Sequence, residues 1–213
     1  MVFWIISAHI TCMKKMTNNN TEKIRQKLEK NLSPSRYQHT LGVAYTSACL
    51  AMRYGADQEK ALTAGLLHDC AKEYKEKELL KMAPDAGVVL SEAELNAPQV
   101  LHAVLGPWVA AKKYGVKDPD ILSAIRWHTT GKENMTLLEQ IVFTADYMEP
   151  NRDKAPDLPE VRPLAFRDLD SCMRMITEHT LEYLDARGIE AGPNTRNCYE
   201  WLKNKKESGN DHK

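Results

Sequence analysis

The 213-residue sequence lacks an excess of charge of either sign, because its 29 basic and 29 acidic residues cancel. That balance excludes the strongly basic footprint of a general nucleic-acid binder and leaves room only for a local basic patch. Cysteine is scarce. The five present (Cys12, Cys49, Cys70, Cys172, Cys198) are odd in number, widely spread and without a CxxC pair. Neither a zinc knuckle nor a secreted disulfide framework is encoded, and a reducing cytoplasm is the expected compartment. No long apolar run is present either. The opening MVFWIISAHITCMKKM is apolar for about its first half, short of the roughly 20 residues that span a bilayer. Lys14 and Lys15 follow that stretch instead of preceding it, the wrong order for a signal peptide. Residues 1–20 are expected to be a disordered extension, with a weak membrane-surface or partner contact as the alternative. The polar tail over 207–213 is expected to fray, and residues 21–206 to form one domain.

Internal repeats and the two-residue alternation of strands are also absent, so the chain reads as all-α. Thr21 to Leu32 is a charged amphipathic segment. Ser33 followed by Pro34 supplies an N-cap with proline at the first helical position, and Gly55 marks the stop. A further helix starts at Asp57 and carries QEKALTAGLLHD. Others are expected at about Lys75–Met82, Pro98–Tyr114, Pro119–His128, Thr136–Met148, Val161–Ala186 and Thr195–Lys206. The proline-rich stretch EPNRDKAPDLPEVRP between two of them reads as a loop.

What stands out is where the histidines fall. Residues three, four and seven apart share a helix face. His39 therefore lies with Val43, Thr46 and Leu50, and His68 with Ala61, Ala64 and Gly65; His102 lies with Leu105, Gly106 and Val109, and His128 with Ile121, Ala124 and Ile125. Asp146 follows Val142 and Leu138 on the same rule. Taken singly, each histidine reads as a core residue hydrogen-bonded to backbone. Five helices that each deliver an imidazole or a carboxylate inward do not, because such groups remain unsatisfied unless they converge on a cation. Mixed imidazole and carboxylate donors suit iron, manganese, cobalt or zinc. Helical neighbours diverge by about 100°. The adjacent His68 and Asp69 thus share one ion only if it lies in the fork between them at a helix end.

The order of His39, His68–Asp69 and Asp146 resembles the HD-domain metal-dependent phosphohydrolases. RYQHTLGVA, AGLLHDCAK, LHAVLGPWVA, RWHTTGKENMTLLEQIVFTADYMEPNR and RPLAFRDLD together are similar to the bacterial YqeK family of symmetrical bis(5′-nucleosyl)-tetraphosphatases. The similarity runs from about Arg36 to Asn197 and implies an HD-domain helical bundle. It implies one or two divalent ions, iron first and manganese or cobalt next, held by His39, His68, Asp69 and Asp146. His102 and His128 hold either a second ion or the substrate phosphates.

The implied reaction cuts diadenosine tetraphosphate into two ADP by metal-hydroxide attack on an inner phosphorus, with Asp69 and Lys72 in catalytic roles. Thr129 and Arg152 are candidate phosphate contacts, and Arg36 either joins them or pairs with an acid. Ile189, Gly192 and Asn194 lie in a turn that encloses the nucleotide in the resembling family. There the present chain departs from the pattern, with Gly192, Pro193 and Asn194 replacing a His-Pro pair common before the threonine. Trp108 and Trp127 read as core, and Cys70 as packing. The alternatives are an HD-type nucleotidase or phosphodiesterase, a di-iron oxygenase on the same ligands, and a nucleotide-sensing module without turnover. The expected partners are a dinucleoside polyphosphate and ADP, without a nucleic-acid polymer or a membrane. A homodimer is an option if an apolar helix face is left over.

Overall fold

A computed structural model describes residues 20–210; the predicted disordered extension falls almost entirely outside the described residues, with Asn20 already helical. The described residues form helices and connecting turns, with no strand among them. After α1 (residues 20–31), the chain forms α2 (Pro34–Tyr54), α3 (Gln58–Leu67), α4 (Glu76–Asp85), α5 (Glu92–Leu95) and a 3-10 turn at Pro98–Val100. It continues through α6 (Leu101–Tyr114), α7 (Pro119–Trp127), α8 (Leu137–Met148), α9 (Leu158–Ala165), α10 (Leu169–Ala186) and α11 (Pro193–Asn210).

Local chemistry sets most of these limits. Ser33 accepts a hydrogen bond from the Arg36 amide, and α2 ends at Gly55. Asp57, Asp118 and Thr136 cap α3, α7 and α8 through their side-chain oxygens, each such cap being worth about 1 kcal/mol. Two expectations need correction. The segment expected as one helix over Val161–Ala186 is split, because Asp168 turns extended and its carboxylate accepts from the Ser171 amide, starting α10 afresh. The stretch read as a loop also contains most of α9, which runs on to Ala165 and whose Val161 and Ala165 are fully buried. In addition, α11 continues through Asn210, past the expected end at Lys206.

Helices α2, α3, α7 and α8 pack on one another, α6 lies on α7, and the α10–α11 pair leans on α8. Leu50, Leu67, Leu105, Ile125 and Ile141 are essentially fully buried between them, each contributing about 1.5–3 kcal/mol. Polarity then decides what meets at one end of this bundle. Helices α3, α7 and α8 finish there, delivering His68, His128 and Asp146, while α6 begins there with His102 and the first half of α2 passes with His39. Gly65 lets α2 and α3 approach: a Cβ on it would lie 2.7 Å from the Ala44 Cα. No helix among the described residues is long and apolar enough to cross a membrane.

Gly65→Ala should therefore push α2 from α3. The expected cost is about 1–3 kcal/mol, the usual range for overpacking, read as a lower urea midpoint, with a parallel loss of metal affinity. An unchanged midpoint would mean that the two helices are free to separate.

Candidate metal centre

Helix α3 ends at Leu67, so His68 is its C-cap and Asp69 sits in the turn that follows. Both are buried, 0% and 2% exposed, and the chain turns away where the sequence requires a fork. The His68 Nδ1 donates to the Gly65 carbonyl at 2.7 Å, and the His128 Nδ1 donates to the Ile125 carbonyl at 2.7 Å. The His39 Nδ1 donates to the Glu149 carboxylate at 3.1 Å. A neutral imidazole with its proton on Nδ1 presents a bare lone pair at Nε2. Three such lone pairs face inward.

What they face are other acceptors. The His39 and His68 Nε2 atoms lie 3.2 Å apart, with the Asp146 Oδ1 3.0 Å from the first and 3.7 Å from the second. The Asp69 Oδ2 is 3.4 Å from the His68 Nε2 and 3.8 Å from the His39 Nε2. On the other side, the Asp69 Oδ1 lies 3.2 Å from the His102 Nε2 and 3.6 Å from the His128 Nε2, and those two nitrogens are 3.2 Å apart. Asp69 thus bridges two donor groups with one oxygen for each. Acceptors crowded at these distances repel unless a cation lies among them, and the mixed nitrogen and oxygen set fits a divalent first-row metal.

Without an ion, protons and guanidinium groups take its place. Burial pulls the His39 imidazole down, but the hydrogen bond to Asp146, its charge and Glu149 outweigh this and leave the pKa raised above the usual 6.5. Burial raises Asp69, yet the His68 charge and the hydrogen bonds from His102 and His128 hold it well below the carboxylate range. Asp146 is likewise held low against burial, first by its hydrogen bond with His39. Burial, helped by the His128 and Lys72 charges, drives His102 down to about 4 against the pull of Asp69. The Arg36 Nη1 bonds the Asp69 Oδ2 at 2.7 Å, and the Arg152 Nη2 bonds the Asp146 Oδ1 at 2.8 Å.

The structure brings His39, His68, Asp69, His102, His128 and Asp146 together. They open on a cavity of about 550 Å³ whose lining includes Arg36, His39, His128, Thr129, Asp146 and Arg152. The Thr129 hydroxyl lies 2.9 Å from the His128 Nε2. Lys72 stands 3.8 Å from the Asp69 Oδ1, about a third exposed, and is not part of the cavity lining. Ile189, Gly192 and Asn194 do not line it either, and Ile189 is 44% exposed. The turn that carries them lies beyond α10, the helix whose Ile176 and Thr180 form the cavity wall. Trp108 and Trp127 pack half-buried against the core. Cys70 is fully buried, and burial pushes its thiol pKa up, as expected of packing.

Sequence reasoning missed Glu149. This 1%-exposed carboxylate orients His39 and accepts from both the Asn151 amide and its side chain. A Cβ on Gly42 would fall 2.0 Å from its Oε2, so that glycine is the cradle for the carboxylate. The available signal was Glu149's place three residues after Asp146. Arg162 clamps the same turn from α9 by donating to the Met148, Glu149 and Arg152 carbonyls.

A helical bundle with imidazoles and carboxylates converging at one end, opening on an arginine-rimmed cavity, defines a class of divalent-metal-dependent proteins. Comparison with known families makes this specific: the family described as HD domain matches residues 36–151, and the protein belongs to it. Over 183 residues, 86% of this chain and 97% of the relative, it is 38% identical to the symmetrical bis(5′-nucleosyl)-tetraphosphatase of Bacillus subtilis (strain 168). Identity to the enzyme of the same name from Halalkalibacterium halodurans is 37%, with the same coverage. Among solved structures, a "predicted HD superfamily hydrolase involved in NAD metabolism" from Clostridium acetobutylicum superposes with a TM-score of 0.84. It is 36% identical, covering 86% of this chain and 97% of that one.

Two outcomes follow. Glu149→Gln and Gly42→Ala should each weaken metal binding by about 10–100-fold, the usual cost of losing an outer partner of a ligand histidine, measured by chelator competition. Metal affinity should also fall as pH drops through the His39 titration. Because that pKa is raised, the fall begins above the ordinary imidazole value of 6.5, protons being the competitors that binding must release. A flat affinity between pH 8 and 6 would contradict this.

Proposed function

We propose that the protein hydrolyses diadenosine tetraphosphate symmetrically, releasing two ADP molecules, with the six inward residues as its metal and phosphate machinery. The observation that carries this reading is the bridged donor set beside a cavity bearing two arginines. Relatives of the stated name, matched over nearly their whole length, supply the substrate.

In this reading His39, His68, Asp69 and Asp146 hold the primary ion, with iron first and manganese or cobalt next. When bound, the ion supplies a water acidified from about 15.7 toward roughly 7 and Lewis-acid charge for the phosphoryl oxygens. Glu149 fixes the tautomer of His39, and Gly65 that of His68, so both present Nε2. Asp69 turns its other oxygen toward His102 and His128. That pair takes either a second ion or a phosphate oxygen, and Thr129 adds a hydroxyl at the same place.

Arg36 and Arg152, paired here with Asp69 and Asp146, would be free to turn to the tetraphosphate chain and neutralise the charge building up on it if those carboxylates held an ion. Lys72, about a third exposed with its Nζ 3.8 Å from the Asp69 Oδ1, acts at longer range on the same phosphates, and Ile189, Gly192 and Asn194 form an outer rim. The reaction fits a reducing cytoplasm. Tyr45, Cys49 and Met52 leave an exposed stripe on α2, which supports a homodimer.

Chromatography of products from diadenosine tetraphosphate tests the reaction. ADP should be the sole product, and Asp69→Ala should reduce kcat by more than the roughly 100-fold typical of outer-sphere changes. ATP with AMP as products would exclude symmetric cleavage. Oxygen uptake without phosphate transfer would favour the oxygenase alternative.

A further inference from the structure

A second cavity, of about 710 Å³, adjoins the first. Tyr147, Lys154, Ala155 and Thr180 line both, so these residues form the boundary the two share. Their characters differ. The first is lined by Arg36 and Arg152 with His39, His128 and Asp146, whereas the second is walled by Tyr183, Pro156 and Ala155, with Lys154, Asp157, His179 and Glu182 as its polar groups. The His179 Nδ1 donates to the Asp157 Oδ2 at 2.6 Å, and both oxygens of that buried carboxylate accept from the Tyr147 hydroxyl at 2.9 Å. With Nδ1 so engaged, the neutral ring offers its Nε2 as an acceptor. Tyr183, 55% exposed, has the Arg187 guanidinium 4.5 Å from its ring centroid. With Arg187 over its ring, this exposed aromatic is held in place and can serve as a stacking platform.

We propose that this second cavity is the subsite for one of the two nucleosides of the substrate. The inference rests on the reading of the protein as a dinucleoside tetraphosphatase. Symmetric cleavage breaks the central anhydride and leaves each nucleoside two phosphates away from it, so the substrate needs two nucleoside subsites, and the second cavity serves one of them. The tetraphosphate crosses the shared wall at Lys154. The base of that nucleoside stacks on Tyr183, and His179 accepts a hydrogen bond from a ribose hydroxyl or the exocyclic amine. Asp157 and Tyr147 position His179, and Tyr147 thereby couples the two cavities through one hydrogen bond.

Kinetics on the metal-loaded full-length protein test this. Tyr183→Ala and His179→Ala should raise KM for diadenosine tetraphosphate about ten-fold, since base stacking and one hydrogen bond have that order of effect, while kcat stays near wild type. Tyr183→Phe should restore KM. The same variants should leave the affinity for adenosine 5′-tetraphosphate, which carries one nucleoside, unchanged whether it acts as substrate or competitor. Equal losses for both ligands, or no loss for either, would overturn the subsite. If the wild-type protein leaves diadenosine tetraphosphate intact, the functional reading fails and the subsite falls with it.

Discussion

The crowding of acceptors at one end of the helical bundle is the constraint on which the rest depends. Three imidazole lone pairs and two carboxylates meet within hydrogen-bond distances of one another, an arrangement that would destabilise the fold if it were left unpaired. A cation resolves it. Each ring is turned to this task by a fixed Nδ1 partner, the backbone carbonyls of Gly65 and Ile125 or the Glu149 carboxylate. The helices contribute direction and spacing, and the apolar core offsets the cost of burying so much polarity.

Placement at helix ends is what makes the centre possible. Two neighbours within a helix point about 100° apart, but His68 and Asp69 span the point where α3 stops. The terminal carbonyls of a helix lack internal partners, and those of Gly65 and Ile125, each three residues before a histidine, are used to orient the rings. Stability and function therefore rest on the same backbone groups. The turn after α8 works in a similar way: Glu149 supports His39, Arg152 reaches Asp146, and Arg162 holds the turn itself in place.

Much of this was legible in the sequence, for identifiable reasons. Ser33, Asp57 and Thr136 announced their helices because capping is local, and the inward histidines followed from a period of 3.6 residues. The break at Phe166–Asp168 was hidden because the apolar pattern continues on both sides, from Val161 and Ala165 to Leu169, Cys172 and Met173. Glu149 was hidden for a different reason. Its role depends on contact with His39 and Gly42, more than 100 residues away, so its place three residues after Asp146 hints at the site but not at the contact. Lys72 is a different case: its closeness to Asp69 in sequence carries its Nζ to 3.8 Å from the Asp69 Oδ1, although its side chain is not among the residues lining the cavity.

The most direct measurement is a crystal structure of protein purified anaerobically without chelators, with anomalous data collected on both sides of the iron absorption edge. A convergent metal centre predicts a peak within bonding distance of the Nε2 atoms of His39 and His68 and of the carboxylates of Asp69 and Asp146, with Arg36 and Arg152 displaced from those oxygens. Active protein with no metal peak there, its imidazoles and carboxylates joined only by protons, would contradict it.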